Sequence, residues 1–242
     1  MADRIKNTAL WILGIGLIIT MWAFSSGKMT EQKMNGLQVT INFDDGYYFV
    51  NKEDVTRTIK NILPGLDTLR LIEINSRLLE ETLENHPSIA KAEVYSALNG
   101  NLRIDVYQRK PIARIQNGGL GFYLDEEGKR MPLSNNFSAG VPLITGFVAD
   151  SNLVLIHDFL IKSANDSFYK DFFAGIDIDK NNQWKLYPKA GNHSIMMGDP
   201  TDADKKLNKL ETFYRSAVDE KSFKNLKTID LRYNKQVIST KH

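Results

Sequence analysis

The chain has no cysteine among its 242 residues. A disulfide framework, a thiolate zinc site and a cysteine nucleophile are therefore excluded. Histidine is scarce, with His86, His157, His193 and His242 the full set, and no two stand at metal-ligand spacing. No Gly-x-Ser-x-Gly elbow surrounds Ser25, Ser26 or Ser134, so none has the setting of an activated serine. Gly118-Gly119-Leu120-Gly121 lacks the strand-to-helix context and the Gly-Lys-Ser/Thr ending of a phosphate loop, and reads as a hairpin turn. The run Asp177-x-Asp179-x-Asn181 begins like a calcium loop, but Asn182 and Pro188 stand where that loop requires glycine and a bidentate glutamate. Asp125, Glu126 and Glu127 precede Gly128 in a turn and read as solvated carboxylates. A net charge of +2, with 25% charged residues and no concentrated basic stripe, gives no case for nucleic acid. No catalytic constellation remains, so the expectation is a non-enzyme without cofactor or metal whose function lies in its surfaces.

What the sequence does have begins with an apolar run. Residues 9–24 carry no charge, and Thr8 and Ser25-Ser26 can extend the run. A membrane helix needs about 20 such residues, so this one is at the short end. Trp11 and Trp22 near its ends favour an interfacial position. The competing reading is a cleaved signal peptide, but the run exceeds a usual signal core and no Ala-x-Ala site comes after it. The expected layout is a cytoplasmic tail over 1–8, a single transmembrane helix over 9–26 and a polar tether over 27–35. Arg4 and Lys6 precede the run while Lys28 and Lys33 lie beyond it, so charge alone does not orient it. The large remainder of the chain favours the N-terminus inside, because large domains translocate largely regardless of such charges.

From Gly36 the pattern becomes that of a folded domain. Leu37, Val39 and Ile41 alternate with polar residues as a strand. Asn51 is placed to cap a helix with Glu53 and Asp54 in its first turn and Val55, Ile59, Ile62 and Leu63 on one face. Pro64-Gly65 ends it. A second helix from about Asn75 is expected to bury Leu78, Leu79 and Leu83 before Pro87 stops it. Two strands come next, with Ala92 and Val94 on one and Leu102, Ile104 and Val106 on the other. A two-residue turn at Asn99-Gly100 would mix the faces, so an odd-numbered loop should set Val94 against Ile104 or Val106.

After Pro111 short strands are expected over 112–116, 120–124 and 130–133. A helix is expected over 152–163 with Val154, Leu155, Phe159 and Ile161 toward the core, then alternating strands carry Ile176, Ile178, Trp184, Leu186, Ile195 and Met197. Residues 203–214 form a helix burying Leu207, Leu210, Phe213 and Tyr214. Its Lys205, Lys206 and Lys209, like Arg57 and Lys60 earlier, read as a solvated face, with anionic headgroups or an acidic partner as the functional alternative. Ile229 to Tyr233 is the last main strand.

Several of these stretches resemble one family. His86-Pro87, the two alternating strands and Arg109-Lys110-Pro111-Ile112-Ala113-Arg114 are similar to the hairpin and exit of the POTRA domain in bacterial FtsQ/DivIB division proteins, although Ala97 to Gly100 replace the usual Trp-Pro-Asp loop and Gln108 stands near an acidic position. Tyr123 to Gly128, Met131-Pro132-Leu133, Val141 to Gly146, Gly198-Asp199, the Lys-Leu helix and Asp230-Leu231-Arg232-Tyr233 continue the likeness through the family's β domain. The resemblance implies an α+β fold: the single N-terminal transmembrane helix, a β-α-α-β-β POTRA domain over 36–110 and a mostly antiparallel β domain with flanking helices over 111–242. It implies a bitopic scaffold in the cytoplasmic membrane, its domains outside the cytoplasm, linking early divisome components to the FtsB and FtsL coiled-coil pair and to septal peptidoglycan synthases. The alternative is a POTRA-bearing secretion or assembly factor that binds translocating chains. A secreted hydrolase is a third reading and lacks a candidate nucleophile.

The partner site implied by the resemblance is the last strand and the segment just after it: Asp230, Leu231, Arg232, Tyr233, Asn234 and Val237. An exposed strand edge offers unpaired backbone groups to which a partner can add a strand. Tyr233 has two readings, a partner contact or a core residue sharing parity with Ile229 and Leu231. Residues 230 to 238 are expected to bind a partner in strand form, and the absence of the family's common glycine from Asn234-Lys235-Gln236-Val237 bears on the geometry of the partner strand.

Overall fold

The computed structural model describes residues 11–21, 33–43, 46–119, 121–217, 225–234 and 236–242. The predicted membrane helix is the first point at which it differs from the sequence reading. Its described part is a helix over residues 11–21, α1, exposed throughout. At 1.5 Å per residue it is about 16 Å long, against a hydrocarbon core of about 30 Å. Among the described residues no helix is long and apolar enough to cross a membrane. The fold class is accordingly corrected to mixed α/β, without the transmembrane element. The predicted tail over 1–8, residues 9, 10 and 22–26 of the predicted span, and residues 27–32 of the tether lie outside the described residues.

The folded part forms two compact units, one built on residues up to 44 and 50–108, the other on 45–49 and 109–242. In the first, β1 (Gly36–Asn42) is followed by α2 (Lys52–Ile62), two short 3-10 turns, α3 (Ser76–Glu84), β2 (Ile89–Ser96) and β3 (Asn101–Gln108). The helix starts are local chemistry. Asn51 Oδ1 accepts the Asp54 amide at 2.8 Å and Asn75 Oδ1 the Leu78 amide at 3.1 Å, each satisfying a donor that the first helical turn leaves free. The sheet order is β1-β3-β2, with β1 parallel and β2 antiparallel to β3. Val55, Ile59, Leu79 and Leu83 from the helices meet Ala92, Val94, Leu102, Ile104 and Val106 in the core. Leu78, expected in that core, is 47% exposed, because it is rotated about 100° from the Leu79–Leu83 row.

The hairpin register places Val94 opposite Ile104 and Ser96 opposite Leu102, so five residues, Ala97 to Asn101, separate the last opposed pair. Ala97 donates to the Asn101 carbonyl at 2.9 Å. Gly100 takes a φ of 82°, the left-handed conformation that such loops reserve for glycine. Gln108 is buried, accepting the Val50 amide on Oε1 at 3.0 Å and reaching the Asn42 carbonyl with Nε2 at 3.4 Å. A neutral side chain that both accepts and donates meets both needs there.

The second unit contains β4 (Pro111–Ile115), β5 (Phe122–Asp125), β6 (Arg130–Pro132), β7 (Leu143–Gly146), α4 (Asp150–Asn165), β8 (Phe173–Ile178), β9 (Trp184–Pro188), β10 (Ser194–Gly198), α5 (Ala203–Ala217), β11 (Leu226–Asp230) and β12 (Ile238–Lys241). All nine strands join one sheet in the order β12-β11-β10-β9-β8-β7-β4-β5-β6. The β4–β7, β7–β8 and β10–β11 pairs are parallel. Parallel neighbours need a crossover, and α4 and α5 supply those of the last two pairs. Trp184, Leu186, Ile195, Met197, Ile229 and Leu231 form the buried side of the sheet with Phe159, Leu207 and Leu210 from the helices.

Two further expectations are corrected here. On α4 the core row is Ile156, Phe159, Leu160 and Ser163, while Val154 and Leu155 are exposed. The apolar run Leu153 to Ile156 offered several faces, and the i, i+3, i+4, i+7 row won. Asp125 is 1% exposed instead of solvated. Its carboxylate accepts the Glu127 and Lys129 amides at 3.0 and 2.7 Å and pairs with Arg109 at 2.8 Å. A buried carboxylate persists when paired and hydrogen-bonded in this way.

Candidate partner-binding edge

The sheet ends on the C-terminal side in β10, α5, β11 and β12. Leu207 and Leu210 anchor α5 on the sheet, Phe213 and Tyr214 pack at its margin, and Tyr169 donates to the Leu207 carbonyl at 2.6 Å. Beyond β11 the chain turns back into β12, pairing Asp230 with Ile238, Ile229 with Ser239 and Thr228 with Thr240. Among the described residues β12 has only β11 as a neighbour, and all four of its residues are exposed.

The direction of its backbone groups is set by one bond. Leu231 donates to the Met196 carbonyl at 2.9 Å, so Leu231 and Ile229 face β10 and their neighbours Thr228 and Asp230 face β12. In an antiparallel pair, Thr228–Thr240 and Asp230–Ile238 then exchange the ladder bonds. Ser239 consequently turns its N–H and C=O away from the sheet.

The turn between β11 and β12 is held from three sides. The Arg232 guanidinium grips Asp230, Nε to Oδ1 at 2.9 Å and Nη2 to Oδ2 at 2.6 Å. That pairing holds the Asp230 carboxyl below the usual carboxylate range and raises Arg232. Arg232 lies against Gly198, whose φ is 75° and where a Cβ would stand 2.8 Å from Arg232 Cγ. From α5, Lys209 Nζ donates to the Leu231 carbonyl at 3.0 Å and the Tyr233 carbonyl at 2.6 Å. Lys206 similarly donates to the Asp199 carbonyl at 2.5 Å. These two lysines are thus structural clamps, where the sequence suggested a solvated face.

The six residues singled out by sequence fall into distinct places. Asp230 closes β11, and Leu231 is fully buried. Arg232 and Asn234 are exposed on the turn. Tyr233 is 47% exposed, which removes its core reading, because the strand has ended before it. Val237 is partly buried against the core. It joins Gln236, Asn208, Lys209, Thr212 and Phe213 in lining a groove of about 430 Å³ between α5 and the turn. Sequence reasoning named Lys209 only within a charged helix face and Gln236 only within the segment after Tyr233, and it missed β12 as a separate strand. The β-branched Ile238 and Thr240 alternating with Ser239 and Lys241 are the signal that could have found that strand.

The arrangement can form backbone hydrogen bonds to an added strand and offer a groove beside it. Comparison with known proteins bears on this. Residues 110–240, more than half of the chain, match the family "FtsQ/DivIB, C-terminal related", and residues 32–107 match the POTRA-like domain. The chain is 26% identical over 180 residues to the cell division protein FtsQ of Rhodothermus marinus, covering 69% of this chain and 66% of that one. It is 27% identical over 191 residues to the cell division protein FtsQ of Geotalea daltonii, covering 73% and 66%. The chain thus spans just under two thirds of the length of these curated relatives. By the extent of the family match and the continuity of the two domains, the chain belongs to the FtsQ/DivIB family.

Proposed function

We propose that this chain is a non-catalytic scaffold of the bacterial division machinery. In this reading it acts at the cytoplasmic membrane with both folded units outside the cytoplasm, linking early division components to an FtsB/FtsL-like coiled-coil pair and to the septal peptidoglycan synthases. Family membership and the names of the two relatives support a role in cell division. The observation that carries the partner site is the open outer edge of β12, with Ser239 presenting its backbone. A partner segment adds there as a tenth strand by β-augmentation, with backbone bonds giving affinity and adjacent side chains giving choice. Asp230, Arg232 and Leu231 set the turn, while Tyr233, Asn234 and Val237 flank the incoming strand.

The test is titration of the chain with a synthetic peptide from an FtsB-like partner. Ser239→Pro removes an outward donor but no ladder bond to β11, and proline is tolerated on such an edge. Binding weakened by up to about tenfold in a folded variant supports strand addition, the one lost backbone bond contributing about 0.5–1.5 kcal/mol. Unchanged affinity contradicts it.

A further inference from the structure

The three-stranded sheet of the first unit has its own edge at β2. There two of the outward N–H groups are already occupied from within the chain. Glu84 Oε1 accepts the Ala92 amide at 3.1 Å and Glu80 Oε1 accepts the Val94 amide at 2.8 Å. The spacing fits. Residues four apart on a helix rise about 6.0 Å, and alternate residues on a strand are about 6.6 Å apart, so α3 running antiparallel to β2 brings its carboxylates into step with every second amide. Leu79 and Leu83, the preceding residue in each turn, are buried and fix the rotation of α3 that turns Glu80 and Glu84 toward β2. Bonds to an ionised acceptor are about twice as strong as neutral ones.

We infer that Glu80 and Glu84 form an intramolecular guard that keeps the β2 edge from adding the β2 strand of a second copy of this chain. The occupant is indicated by the strand itself. The amides of Ala92 and Val94 face outward, so an antiparallel pairing centred on Ala92 is hydrogen-bonded across the two copies. That register sets Lys91 opposite Glu93 of the second copy, and Glu93 opposite its Lys91. The two are exposed or half-buried and share one side of β2, where they pair at 2.5 Å within one chain. Opposite charges across a strand pair stabilise it. A register centred on Glu93 would instead oppose two like charges. The edge therefore carries a self-complementary pattern, and the pair of carboxylates holds it closed.

Sedimentation velocity of the full chain provides the test. Replacing both guards, Glu80→Ala with Glu84→Ala, is expected to double the sedimenting mass relative to the unmodified chain, with unchanged far-ultraviolet circular dichroism. In dilute samples, where the copies are apart, the Ala92 and Val94 amides are expected to exchange roughly tenfold faster. Adding Glu93→Lys, which sets like charges against each other in that register, is expected to return the mass to its original value. Should the double variant lose its fold, the single Glu84→Ala change frees the amide at the centre of the pairing from an exposed position. An unchanged mass with unchanged amide exchange overturns the guard, and a doubled mass that persists with Glu93→Lys overturns the assigned pairing.

Discussion

The two units each end in an edge strand, and the two edges are treated in opposite ways. β2 lies beside a helix that turns two carboxylates onto its outward amides. β12 lies at the end of a far larger sheet with Ser239 turned outward, all four residues exposed, and no side chain among the described residues bonded to its outer backbone. The far edge of the larger sheet is also defended. β6 has three residues, ends in Pro132, and carries Arg130 paired with Asp150, all features that discourage strand addition. An unpaired edge is a liability in a soluble domain unless it is used. The difference between β2 and β12 is the physical basis for proposing β12 as the partner site.

The largest effect expected is at that strand. Ser239→Pro should lower affinity for an FtsB-like peptide by up to about tenfold while leaving the melting temperature nearly unchanged, whereas a proline at Ile104, in the central strand β3, should unfold the first unit. Tyr233→Glu, which places a charge beside the incoming strand, should cost about tenfold in the same titration. A folded Tyr233→Glu protein with full affinity would remove Tyr233 from the site. Lys209→Met should act more weakly on both readouts. It frees the Leu231 and Tyr233 carbonyls, so the turn loosens, stability falls by about 1–2 kcal/mol in thermal or urea unfolding, and affinity falls severalfold.

The smallest effect separates the far end of the sheet from the site. His157 on α4 bonds the Glu126 carbonyl and the Asp158 carboxylate, both at 2.9 Å, and these contacts raise its pKa. A histidine with a raised folded pKa contributes stability that is fully present below its unfolded pKa and is lost as pH rises through the folded value. The gap in melting temperature between the unmodified chain and His157→Gln should therefore be widest in mild acid and close as pH rises through that window. Peptide affinity should be the same for both proteins at every pH where both are folded.

How much of this the residues disclose depends on the range of the interaction involved. The caps at Asn51 and Asn75 and the Val94–Ile104 register are local and readable from spacing alone. The inward face of α4 is not, because Val154, Leu155 and Ile156 are chemically alike and only packing against the sheet distinguishes them. Asp125 reads wrongly as solvated because its partner Arg109 lies sixteen residues away, and no local rule brings them together. The physical form of the stretch 230–237 is not legible: the sequence suggests a strand edge, while the structure makes it the end of β11 and a clamped turn leading into β12. The clamping role of Lys209 escapes sequence reasoning for the same reason, its acceptors being carbonyls of a distant turn. The membrane helix is read from a run of uncharged residues whose described helical part is too short to span a bilayer.

The central claim is that strand addition is open at β12 and closed at β2. Amide hydrogen exchange of the full chain, with and without saturating FtsB-like peptide, measures both edges at once. New protection is expected at Ser239 and Lys241 on binding, with no change at Ala92 and Val94, which are protected already. Protection appearing at the β2 amides, or binding that leaves Ser239 exchanging freely, would contradict it.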